Sequence, residues 1–258
     1  MESTRKGGLS GAGLKWIAII TMLIDHIGAV VLMPLISISN MQSGQMPMEL
    51  MTVYTILRTI GRISFPIFCF LIVEGFFHTK DAVKYNIRLA IFALLSEVPF
   101  DLSLFGKVFE TSHQNIFFTL AIGLFAIIVF HKLRFNMTLA AFMIVLLAAI
   151  AAEMINTDYG AFGVLLIFVF YFFRDKPLQR LLAFGVLCIV NVVYTYVQMG
   201  YGFHPMMIAA IIPALLPVLS LIPIHIYNGE RGNQPKYFFY LFYPLHLLIL
   251  YFIRMAVV

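Results

Sequence analysis

Charge is scarce in this sequence: only 11% of its 258 residues are Asp, Glu, Lys or Arg, while 62% are hydrophobic. A soluble domain is roughly half apolar and about a quarter charged, so this composition excludes a water-soluble fold and leaves a polytopic membrane protein. Cysteine is nearly absent. Cys69 and Cys188 both fall inside apolar runs, which excludes a disulfide framework and a zinc-type Cys pair. The seven histidines show no tight spacing such as His-x-x-x-His, so no metal is expected. No repeat period, coiled coil or low-complexity tract stands out, and no polar stretch is long enough for a sizeable soluble domain. The expectation is one all-α domain over residues 1–258, a bundle of transmembrane helices embedded in a lipid bilayer.

What the chain has in quantity is membrane-length hydrocarbon. Its 26 Phe and 14 Met suit lipid contact and adaptable helix packing. Cutting at the polar breaks gives about nine spans, 14–36, 57–77, 84–105, 115–131, 137–155, 160–173, 180–199, 204–226 and 237–257. The sixth is short. Arg5 and Lys6 before the first run imitate a signal peptide, but the run is too long, lacks a small-residue cleavage site and contains Asp25, so it reads as a retained helix. Basic residues cluster in alternate connections: Arg5 and Lys6; Lys80 and Lys84; Lys132 and Arg134; Arg174, Lys176 and Arg180; Arg231 and Lys236. That alternation predicts a cytoplasmic N-terminus, an external C-terminus and an odd number of spans. The net charge of +5 is therefore read as a topology signal rather than a nucleic-acid surface. The connection 37–55, rich in Met, Ser and Gln, is predicted to be the longest loop and external.

Polar groups inside these spans are costly and mark chemistry or ion handling. Lys15, Asp25 and His26 all lie in the first. Lys15 and His26 are separated by ten residues, which at 100° per residue returns both to nearly one face, roughly 16 Å apart along the axis. Asp25 points about 100° away from His26 and is badly placed to orient its ring. The second span supplies Arg58 and Arg62 and the third Glu97 and Asp101, each pair one turn apart. Buried charges need partners, so a two-rung ladder is predicted, Arg62 to Glu97 and Arg58 to Asp101, with His26 beside the inner rung. The ladder is either a structural clamp, part of a site, or both. Glu74 is open between capping, pairing with Lys80 and binding ligand. His246, mid-membrane in the last span, is either a second proton acceptor or an interhelical hydrogen-bonding group. His204, Asp158 and Tyr159 read as interfacial anchors. The turn Asn228-Gly229-Glu230-Arg231-Gly232 is either an ordinary turn or a cradle for an anionic phosphate.

Several blocks in fixed order carry a family resemblance. They are Leu14-Lys15-Trp16-Ile17-Ala18 leading to Ile24-Asp25-His26-Ile27-Gly28, Arg58-Thr59-Ile60-Gly61-Arg62 through Phe68, and Glu74-Gly75-Phe76 with His78-Thr79. Further on come Lys84-Tyr85 through Ser96-Glu97-Val98-Pro99-Phe100-Asp101-Leu102, Asp158-Tyr159-Gly160, Tyr227 through Gly232, and Lys236-Tyr237 with Tyr243-Pro244-Leu245-His246. Together they resemble the TraX family, whose naming member is the F-pilin acetylase of conjugation. The family is also similar to wider transmembrane acyltransferases, including acyltransferase 3 proteins, whose first helix carries a basic residue, ten others and then an essential His. Lys15 stands where that family usually has Arg, and lacks Arg's bidentate fork.

The resemblance implies an acyl-CoA-dependent acyltransferase of the bacterial inner membrane, with acetyl-CoA as co-substrate and no metal. The acceptor would be an amine or hydroxyl on a pilin, peptide, glycan or lipid. CoA phosphates would lie near Lys15, Arg231, Lys236 and Asn228, with the thioester arm running towards His26. His26 would act as base or nucleophile, Arg62 would stabilise the oxyanion, and Glu97 would orient or balance charge. Asp25 would assist or line the acceptor path. A proton-coupled transporter, or a non-catalytic part of a conjugation or secretion apparatus, is the competing expectation.

Overall fold

Long apolar runs satisfy their backbone groups without water by coiling on themselves, and the computed structural model follows that rule. It describes residues 7–200, 205–233 and 237–257, among which every regular element is helical. Ser10 caps the first helix, α1 (Gly11–His26), by accepting a hydrogen bond from the Gly13 N–H at 3.2 Å. A π-helical turn (Ile27–Leu32) and α2 (Met33–Ser43) continue the same rod. Next come α3 (Met48–Gly61), α4 (Ser64–His78), α5 (Ala82–Phe105), α6 (Ile116–Leu133), α7 (Thr138–Met154) and α8 (Gly160–Phe172). The series closes with α9 (Pro177–Gln198), α10 (Pro205–Leu215), a 3-10 turn (Leu216–Ser220), α11 (Leu221–His225) and α12 (Phe238–Val257).

Each predicted span finds a helix, and among the described residues six helical rods are long and apolar enough to cross a membrane. As expected, α8 is short, with 13 residues. One expectation fails. The external loop at 37–55 is mostly helix, because α2 runs to Ser43 and α3 begins at Met48. Its polar composition resembled a loop, but Ser37 and Ser43 fold their hydroxyls back onto the carbonyls of Met33 and Ser39 at 3.0 and 2.7 Å and leave the helix intact. The rod Gly11–Ser43 has 33 residues, roughly 50 Å of helix against about 30 Å of hydrocarbon. It is longer than an upright crossing needs, and Gly44, at φ +67°, ends it.

The chain divides into two compact units. The first takes in residues 1–67, 95–110 and 222–258. Here α1 buries Leu14, Ala18, Ile19 and Met22, a stripe at helical spacing, and α12 buries Tyr243, His246, Leu247 and Leu250. The opposite side of α12 exposes Leu241, Leu245, Ile249 and Phe252, as suits a lipid-facing surface. A two-residue break separates α3 from α4. Pro66 explains it, since a proline has no N–H for the carbonyl four residues back, at Arg62, and its ring crowds that carbonyl. Ser64, just past the break, donates its hydroxyl to the Ala18 carbonyl at 2.8 Å.

The second unit takes in residues 68–94 and 111–221. Gly123 on α6 admits the Ile167 side chain of α8, which a Cβ at 123 would strike. Asn115 starts α6 by accepting from the Phe117 N–H at 3.0 Å and donates to the Ala93 carbonyl at 2.7 Å. Glu153 accepts from the Ala161 N–H at the head of α8, at 2.8 Å, and from the Tyr194 hydroxyl at 2.9 Å.

Candidate functional site

All but one of the described site candidates from the sequence fall in the first unit, and α1 gathers some of them. His26 is its last α-helical residue, followed at once by the π-turn. Such single-turn widenings are rare and concentrate at functional sites. The ring of His26 stacks on that of His246, with centroids 4.9 Å apart. His26 Nδ1 and His246 Nε2 are 2.6 Å apart, a hydrogen bond between chain positions 220 residues apart. His246 is only 4% exposed, and its Nδ1–H donates to the Phe242 carbonyl at 2.7 Å. Phe242 stacks on its other face at 4.8 Å, and the Tyr243 ring stands edge-on to both histidines. His26 itself is half-buried.

Lys15 holds the other end of the same helical face. Its ammonium lies 5.3 Å from the centre of the Phe239 ring, and Trp16 packs against Phe238 and Phe239. The two polar groups of α1 thus both meet α12, Lys15 at Phe239 and His26 at His246, so α12 runs alongside α1 in the same direction. The turn before α12 is fastened to the head of α1. Leu9 donates to the Ile226 carbonyl at 2.9 Å and accepts from the Asn228 N–H at 2.9 Å, while Gly11 and Ala12 donate to the carbonyls of Glu230 and Arg231 at 2.7 and 2.9 Å. Asn228 shapes the turn by accepting from the Glu230 N–H at 2.9 Å. The first amides of α1 are therefore occupied by peptide carbonyls. What the turn offers an anion is the exposed Arg231, an electrostatic neighbour of Lys15. Lys236 lies outside the described residues, as do Arg5, Lys6 and His204.

The predicted ion ladder is replaced by another pairing. Arg58 pairs with Asp25 across α1 and α3, and also acts electrostatically on His26. Asp101 is fully buried on α5, and its carboxylate accepts the Glu110 N–H at 2.8 Å instead of meeting Arg58. Arg62 is exposed at the break after α3 and makes no ion pair among the described residues, so it does not meet the buried Glu97. Counting depth from the predicted helix ends set the register wrongly. The register is set by two glycines: Gly28 packs on Leu57 and Arg58, and Gly61 packs on the Asp25 side chain. These contacts put His26 about level with Ile60, and of the two arginines either side of that level Arg58 faces α1 while Arg62 is exposed. Asp25 serves Arg58.

Glu74, on α4 in the second unit, is buried and pairs with Arg174 at 2.9 Å, while Arg174 lies over the Phe77 ring at 4.4 Å. Arg180 donates to the Arg174 carbonyl at 3.3 Å. This is a helix-end clamp, and the partner proposed from sequence, Lys80, is not the one used. Asp158 faces His113 at 3.5 Å. Two parts of the site escaped sequence reasoning: the Phe242 carbonyl, which no side-chain pattern encodes, and the π-turn, whose only signal was Gly28 two residues after a polar pair.

A relative from Dichelobacter nodosus, described as a probable fimbrial assembly protein FimC of serogroup H1, is 29% identical over 263 residues and covers 96% of both chains. No solved structure matches significantly. The family model described as TraX protein matches residues 10–254. That match takes in both histidines, Lys15, the Arg58–Asp25 pair and the turn that pins α1, and on it the chain belongs to the TraX protein family.

Proposed function

We propose that this chain is a membrane-embedded acyltransferase that moves an acyl group, acetyl in the simplest case, from acyl-CoA at the cytoplasmic side to an amine or hydroxyl acceptor. The observation that carries the reading is His26 itself. It is a half-buried imidazole at membrane depth, engaged through one ring nitrogen only, on the helical face that also presents Lys15. The interval of roughly 16 Å between them matches an extended thioester arm whose phosphates rest on Lys15 and Arg231. His26 would remove the proton from the acceptor as it attacks the thioester carbonyl, a role worth about 10²- to 10⁴-fold in rate. Arg58 replaces Arg62 as the cation beside the developing oxyanion: Nη1 holds Asp25, and a guanidinium has further N–H donors. The name of the Dichelobacter relative, a fimbrial assembly protein, favours a pilin-type or other peptide amino terminus as acceptor and the bacterial inner membrane as the location.

The test uses purified full-length protein in detergent with labelled acetyl-CoA and a peptide bearing a free amino terminus. Label should pass to the peptide with release of CoA, and His26→Ala should abolish this while the protein still folds. A non-catalytic assembly component is the second reading, supported by the relative's name, which mentions assembly and no chemistry. Lack of CoA binding and of CoA release with any peptide, glycan or lipid acceptor would favour it and overturn the enzyme.

A further inference from the structure

The structure assigns to His246 the role of a positioning residue that fixes the proton of His26 on Nδ1 and leaves its Nε2 as the reacting base, with the Phe242 carbonyl as anchor. This inference rests on the acyltransferase reading for its chemistry and on three atoms for its geometry. The Phe242 carbonyl can only accept, so the 2.7 Å contact requires a hydrogen on His246 Nδ1. Neutral His246 then has its lone pair on Nε2. That atom lies 2.6 Å from His26 Nδ1, and at this distance one of the two must donate, so the proton sits on His26 Nδ1. His246 Nε2 spends its lone pair on that proton, so the lone pair of the two rings left outside this chain of bonds is the one on His26 Nε2. The order of donors runs one way, from His26 to His246 to the backbone.

A serine-protease-type arrangement uses a carboxylate to hold an imidazole in its working tautomer. Here a second imidazole does so, and its own tautomer is set by a main-chain carbonyl that cannot titrate. The stacking of Phe242 on His246 and the edge of Tyr243 hold both rings in register. Beside the dyad, Arg58 and Asp25 pair with each other. In the reaction the acceptor N–H or O–H proton passes to His26 Nε2 as the bond from the acceptor atom to the thioester carbon forms. The carbon–sulfur bond then breaks, and CoA sulfur takes that proton back. During the step the positive charge on His26 is shared through its Nδ1–H with His246.

The test compares His246→Leu, which removes the acceptor, with His246→Gln, whose carbonyl can still accept from His26 Nδ1–H. Groups that act through a reacting group typically contribute about 10- to 100-fold to activity. His246→Leu should lower kcat by that factor with the KM for acetyl-CoA little changed, and His246→Gln should recover most of it. In protein labelled with 15N-histidine, the signals lost in His26→Gln identify His26 in the wild type. They should show a protonated Nδ1 and an unprotonated Nε2. A protonated Nε2 with a bare Nδ1, or an unchanged kcat in His246→Leu, overturns the inference. Absence of any acyl transfer alongside the expected His26 tautomer would instead remove the enzymatic reading and support the assigned geometry.

Discussion

A methyl group at position 61 probes the α1–α3 contact that sets the level of Arg58. Carbon atoms in contact stay about 3.5–4.0 Å apart, and a Cβ on Gly61 would lie far inside that limit from both the Cβ and the carboxylate of Asp25. The carboxylate can rotate away, but the Cβ is fixed by the α1 backbone. The two helices must therefore separate by on the order of 1 Å, which for overpacking costs about 1–3 kcal/mol. Separation also weakens the Arg58–Asp25 pair, whose partial exposure (38% and 19% for the two side chains) limits that loss to about 1 kcal/mol. Thermal unfolding of the purified protein in detergent should show Gly61→Ala destabilised by about 2–3 kcal/mol in all. The background decides the mechanism. With Asp25→Ala the clash persists, because a Cβ remains at 25; with Asp25→Gly it disappears, and Gly61→Ala becomes neutral or stabilising through its better helix propensity, about 1 kcal/mol. Full relief by Asp25→Ala, or a neutral Gly61→Ala in the wild type, would refute the register.

Three further outcomes follow from other contacts. Glu74→Gln leaves Arg174 without its buried counter-charge and should lower stability by about 3 kcal/mol, read by thermal unfolding, while turnover per folded molecule at His26 persists. Gly232→Val adds a Cβ that strikes the Ser10 side chain at a backbone φ of +69°, so the turn should come away from α1 and raise the KM for acetyl-CoA with little loss of kcat. Asp81 accepts the Lys84 N–H at 2.9 Å at the start of α5, and that bond, helped by the Lys84 charge, holds its carboxyl below the usual value. A lowered folded pKa stabilises above the unfolded pKa and is lost as pH falls through the folded one. Asp81→Ala should therefore lower the melting temperature at neutral pH and lose its effect in strong acid.

The sequence was most legible where one helix sufficed. Lys15 and His26 were placed on one face by counting alone, and α1 is regular across both. Pairings between helices were not, because they depend on register and on which side of its helix each group faces. Of the two arginines Arg58 faces Asp25 while Arg62 is exposed, and the ladder through Asp101 dissolved with that. His246 was visible as a polar group in lipid, yet its partner lies 220 positions away, beyond any local period. The 37–55 connection misled for the opposite reason: outside the hydrocarbon a helix needs no apolar run, so hydropathy ceases to mark its end.

That long sequence interval between the two imidazoles has a consequence in time. A ribosome adding about 5–20 residues per second leaves His26 inserted for roughly 10–45 s before His246 emerges. Through that interval the first rod carries a polar ring into lipid without its eventual companion. Until the later helix arrives, the growing chain leaves that ring without the imidazole that will orient it.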